Sequence, residues 1–165
     1  MKKIFLLTLL AGCCALAAAQ PKAVGLRSGL SGDRLVVEVS YEHAMGFVKG
    51  DFIEAEVGLY GRDGFRTTGI YNLTFLAPDW SSRGDWEFYG GLGVELGYGA
   101  IIDDSSPASI SGMPLFAPCA QLGVAYTFAF PLQLSLDFRP SYALPIVFNQ
   151  QLGWLSWGVG VHYAF

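Results

Sequence analysis

Residues Trp154–Phe165 read WLSWGVGVHYAF. Leu155, Trp157, Val159, Val161, Tyr163 and Phe165 share one parity; Trp154, Ser156, Gly158, Gly160, His162 and Ala164 share the other. Side chains alternate faces along a strand, so one wall of this segment is continuously apolar or aromatic and the other mostly small or polar.

Upstream, the first nineteen residues form a different kind of segment. Lys2 and Lys3 precede an apolar stretch that begins at Ile4, and Ala17-Ala18-Ala19 supplies small residues before Gln20. That is the pattern of a secretory signal peptide spanning 1–19, removed by cleavage after Ala19. Leu10-Ala11-Gly12-Cys13 offers the alternative of a lipidated cysteine, with a short apolar core before it. The uncharged run falls below the roughly 20 residues of a spanning helix. Residues 20–165 are then expected to form one domain.

Removing Lys2 and Lys3 takes ten basic residues to eight against fourteen acids. No basic patch remains, so nucleic acid is excluded as an expected partner. Cys119 is the one cysteine beyond the leader and has no partner for an internal disulfide. Charged residues are 15% of a chain that is 52% hydrophobic, below the roughly 25–35% of a soluble surface. Yet the apolar residues are dispersed at period two and not blocked into a helix-length run.

Eight strand candidates follow: Ala23–Leu30, Arg34–His43, Phe52–Gly61, Phe65–Leu76, Asp85–Tyr98, Leu115–Phe128, Leu132–Ala143 and Trp154–Phe165. Short Gly- and Asp-bearing links such as Ser31-Gly32-Asp33 suit hairpins. Pro78–Gly84 and Ile101–Pro114 are longer and rich in Ser, Pro, Asp and Gly. The glycine-rich run Gly90–Gly99 lacks the helix and lysine of a phosphate-cradling loop. Inside a narrow barrel such glycines relieve crowding where strands curve.

The charges keep a single phase. Leu35, Val37, Val39 and Tyr41 oppose Arg34, Glu38 and Glu42; Ile53, Ala55, Val57 and Leu59 oppose Glu54 and Glu56. Trp86, Phe88, Leu92, Val94, Leu96 and Tyr98 oppose Glu87 and Glu95; Leu134, Leu136 and Phe138 oppose Asp137 and Arg139. Arg27 and Arg66 fit the same polar face. Two barrels alternate this way, a soluble lipocalin-like one with charges outside and a membrane one with charges inside. Aromatics near strand ends, a polar face too small for an apolar core, and scarce lysine select the second. The fold expected is therefore an all-β, eight-stranded, antiparallel, up-and-down transmembrane β-barrel. Eight strands leave a bore just wide enough for side chains to fill. Arg27, Arg34, Arg66 and Arg139 are expected there, paired with Glu38, Glu42, Glu54, Glu56, Glu87, Glu95 and Asp137, plugging the lumen. The surplus of acids leaves some carboxylates to be bridged by water.

The last residues, Gly160-Val161-His162-Tyr163-Ala164-Phe165, resemble the C-terminal targeting signal of bacterial outer-membrane proteins. Its glycine, apolar and two aromatic positions fall on Gly160, Val161, Tyr163 and Phe165; Gly158 stands where a polar residue is usual. With the leader and eight strands, the chain resembles small barrels of the OmpA/OmpX-like superfamily. Strings such as Phe52-Ile53-Glu54-Ala55-Glu56-Val57-Gly58 and Phe130-Pro131-Leu132-Gln133-Leu134-Ser135-Leu136-Asp137 are similar to Bacteroidota members. The resemblance implies an outer-membrane location, with lipid, lipopolysaccharide and the barrel assembly machinery as partners, and a monomer.

Outer-membrane barrels of this size include lipid A deacylases, whose His-x-Ser-Asn motif is missing here: Tyr163-Ala164 follow His162. His43 has no serine close in sequence. No catalytic site, cofactor or metal is expected, and both histidines read as polar packing. Asp103-Asp104-Ser105-Ser106 supplies few of the six to eight oxygens of a calcium site. Ile101–Pro114 and Leu144–Gly153 would lie at the cell surface if the amino terminus starts in the periplasm. That leaves an adhesin or ligand-binding barrel as the alternative to a structural role, with a small-solute channel or lipid-modifying enzyme further off.

Overall fold

The computed structural model describes residues 21–31, 34–60, 64–101, 110–143 and 152–165, with side chains at 21, 34, 60, 99–101, 110–115, 143 and 152–154 outside that description. The leader, the lipidation alternative at Cys13, the tips at 32–33 and 61–63, and most of both long loops lie outside the described residues. The eight strands are β1 (Pro21–Ser31), β2 (Arg34–Ala44), β3 (Asp51–Tyr60), β4 (Gly64–Leu76), β5 (Gly84–Ile101), β6 (Ile110–Phe128), β7 (Gln133–Ala143) and β8 (Leu152–Ala164). Each pairs antiparallel with its sequence neighbour, and β8 returns to β1, closing the barrel. Both β5 and β6 run past their expected ends into Ile101–Pro114, which shortens that loop.

Period-two patterning places the walls. Leu26 is 59% exposed on the outside while its neighbour Arg27 is 1% exposed within. On β8, Trp157 is 56% exposed and Ser156 fully buried. Leu35, Leu59, Leu92, Leu122, Leu136 and Val159 continue the apolar exterior around the barrel. The interior is the reverse of a soluble core: it holds three arginines and many carboxylates, with Phe52, Tyr89 and Ala125 as its small apolar cluster. A lipocalin-like arrangement is thereby ruled out.

The β2–β3 turn is set by backbone chemistry. Gly46 and Gly50 take φ of 73° and 82°, a left-handed conformation that only glycine adopts without strain. The Asp51 carboxylate accepts hydrogen bonds from the backbone N–H groups of Gly46, Phe47 and Val48 at 2.8–3.2 Å, and from the Tyr71 hydroxyl at 2.9 Å. At the same end of the barrel, rings of Trp80, Trp86, Tyr126, Phe128 and Phe130 contact one another in series, with centroids 4.7–6.2 Å apart.

Between β6 and β7 the pairing is interrupted without a change of register: Cys119↔Ser141 and Leu122↔Phe138 pair, and the two positions between them do not. Pro140 sits in that interval, and proline has no N–H to give a ladder. Outside the interruption lies an open depression of about 600 Å³, with Leu92, Pro118, Ala120, Pro140, Tyr142 and Leu155 in its lining.

Candidate functional site: the ionic interior

Because Arg27, Glu38, Glu42, Glu54, Glu56, Arg66, Glu95, Asp137 and Arg139 all turn inward, six of the eight strands deliver ions to the same narrow space. Arg27 of β1 donates a bidentate pair of hydrogen bonds to Asp137 of β7, Nε to Oδ2 at 2.8 Å and Nη2 to Oδ1 at 2.6 Å. Its Nη1 donates to Glu38 Oε2 at 3.0 Å. Arg66 of β4 grips the same Glu38 from Nε and Nη2 at 2.9 and 3.0 Å. Its Nη1 lies 3.7 Å from Glu95, which accepts from Ser141 Oγ at 2.8 Å. Arg139 Nη1 donates to Glu56, and Arg27 Nε stands 3.7 Å from that carboxylate.

Planar guanidinium forks match carboxylates in geometry, which makes these charge-assisted pairs among the stronger hydrogen bonds available. Room for Arg27 comes from Gly158 of β8: a Cβ there would collide with the guanidinium. The network joins Arg27, Glu38, Glu54, Glu56, Arg66, Glu95, Asp137 and Arg139, with Glu54 reaching Arg139 at 4.0 Å. Glu54 is held mainly by neutral donors, from Ser40, Asn72 and Gln121.

Glu42 and Glu87 do not join the arginines. Both approach Lys22, whose Nζ donates to Glu87 at 2.7 Å and stands 3.8 Å from Glu42, while lying 3.9 Å above the Phe52 ring. Lys22 is missing from the expected network, because it has the wrong parity for the inner face of β1. A register shift between Pro21 and Ala23 turns it inward. Phe52 and Tyr89 carry the inner parity but no charge, so parity is the one sequence signal for their role in filling the bore. The side chain of Arg34 lies outside the described residues.

Six strand carboxylates, Glu38, Glu42, Glu54, Glu56, Glu95 and Asp137, are buried beside three buried guanidiniums. The interior thus holds more carboxylates than guanidiniums among its described residues. Among its unsatisfied members is His162, 2% exposed, with neither ring nitrogen hydrogen-bonded. Leaving a buried polar group without a partner costs about 1–3 kcal/mol, so such a group calls for a physical reason. Cys119 is buried and free. At the carboxyl end Val161, Tyr163 and Phe165 face outward, whereas Gly160 faces in.

No protein-family model matches the sequence, and no curated protein matches it. Among solved structures, the barrel is similar to the N-terminal β-barrel domain of Pseudomonas aeruginosa OprF, with a TM-score of 0.64 and 14% identity. The match covers 88% of this chain and 100% of that one. At that identity the likeness concerns the fold: the chain is, like that domain, a closed eight-stranded antiparallel barrel.

Proposed function

We propose that this chain is an integral barrel of the bacterial outer membrane with a structural or surface-interaction role, no enzymatic activity, and a bore closed to solutes by its ion pairs. The observation that carries the reading is the inverted wall: exposed leucines and valines around the outside, arginines within. Exposing one such apolar side chain to water forfeits about 1.5–3 kcal/mol. Leu26, Leu35, Leu59, Leu92, Leu122, Leu136 and Val159, 50–73% exposed, would each forgo part of that contribution on a wall facing water. Hydrocarbon removes that cost. In this reading residues 1–19 direct export, Gly160, Val161, Tyr163 and Phe165 engage the assembly machinery, and the monomer sits among lipid and lipopolysaccharide. The strings around Phe52–Gly58 and Phe130–Asp137 support a Bacteroidota origin.

Membrane fractionation combined with gel mobility before and after boiling tests the core of this. A heat-modifiable band in the outer-membrane fraction is expected; a monodisperse protein in detergent-free buffer overturns it. Planar-bilayer recording tests closure, with stable ionic conductance from the purified protein contradicting the plug.

A further inference from the structure

Glu42 of β2, Glu54 of β3 and His162 of β8 come together inside the barrel, near the end that carries both termini of the fold. One ligand-type atom from each lies within 4.8 Å of the other two, and all three residues are at most 3% exposed. We propose that this cluster is a binding site for one divalent transition-metal ion of the zinc class, with His162 as nitrogen ligand and Glu42 and Glu54 as oxygen ligands.

Three independent features support it. First, both nitrogens of His162 and Oε2 of Glu42 are buried without a hydrogen-bond partner. A neutral imidazole in a polar interior ordinarily spends its donor and acceptor on neighbours; here a lone pair is left for an ion. Second, the backbone makes room for the imidazole. A Cβ on Gly25 or on Gly160 would run into its ring, so these two glycines clear the space it occupies. Third, the surrounding charge favours a cation. The bore holds more carboxylates than guanidiniums among its described residues, and the Lys22 ammonium, 2.7 Å from Glu87 and 3.8 Å from Glu42 Oε2, offsets only part of that surplus.

Ligand chemistry sets the metal class. One imidazole with two carboxylates suits zinc and its first-row neighbours, whereas calcium asks for six to eight oxygens. Three protein ligands leave a fourth position for water. Tetrahedral bonds of about 2.0–2.2 Å set neighbouring ligand atoms about 3.3–3.6 Å apart. From separations of up to 4.8 Å, the three side chains close by up to about 1.5 Å on uptake. Around them, donors from Ser40, Asn72 and Gln121 fix the Glu54 carboxylate, as outer-shell groups do in metal sites. The inference needs the closed barrel and not the membrane reading.

The test uses the full-length protein folded in detergent, without a polyhistidine tag, stripped with chelator and titrated with Zn²⁺ alone. One tightly held zinc per chain is expected, preferred over Ca²⁺. His162→Gln and Glu54→Gln should each weaken binding by at least about tenfold, while His43→Gln leaves it unchanged. Heat-modifiable mobility, scored for every variant, separates loss of metal from loss of fold. Should the site variants fail to fold, zinc-edge absorption of the unaltered protein decides: nitrogen and oxygen neighbours support the site, and sulfur overturns it. Folded protein that takes up no zinc, or a folded His162→Gln that binds as well as the parent, also overturns it, with the barrel left intact.

Discussion

Arg27 shows how strongly a single residue can be committed to its surroundings. It is buried, bidentate to Asp137 and bonded to Glu38, so truncating it takes both fork bonds from Asp137 and one from Glu38, which keeps its pair from Arg66. Removing one member of a buried ion pair typically costs about 3–5 kcal/mol. Arg27→Ala is expected to lose that much in urea unfolding followed by gel mobility, and Arg27→Lys to recover only part, because an ammonium cannot reproduce the fork. The glycine beneath it should be coupled to it. Gly158→Ala places a methyl against the guanidinium and is expected to destabilise the parent barrel, but to do much less in the Arg27→Ala background. Additive effects in that double-mutant cycle would show that the close approach does not matter.

At the scale of elements, the β2–β3 turn is the best-defined connection, and it rests on two devices. A Cβ on Gly46 would meet nothing within 4 Å, so the requirement for glycine there is purely its positive φ. Gly46→Ala should therefore cost about 1–2 kcal/mol. Asp51→Ala, which leaves the turn's backbone donors without their acceptor, should cost about 1–3 kcal/mol. Both are readable as a lowered urea midpoint with unchanged mobility of the folded band. Strand number and inward charge phase are legible in the sequence because every strand repeats the same period. Partner choice is not: Arg27 and Asp137 are 110 positions apart, and their meeting depends on the stagger of strands around the cylinder. Lys22 is hidden by a local register shift, and the Glu42–Glu54–His162 grouping by the same dependence on stagger.

For the molecule as a whole, the outer wall makes the sharpest prediction. Val159 is 55% exposed midway along β8. In a membrane, Val159→Arg should cost about 2–4 kcal/mol of folding stability in lipid vesicles; on a water-facing wall the same change would be close to neutral. Nine unbroken pairs from Ala23↔Ala164 to Ser31↔Ser156 join the first and last strands, so chain closure is not the weak join. That place belongs to the interval around Pro140, where the hoop of backbone bonds is missing a stitch. Deuterium should enter the amides flanking Gln121 and Arg139 sooner than those along the first and last strands. If the cylinder ever parts sideways, it tears along this line, and in a bilayer the greasy hollow outside it is what acyl chains would then press into.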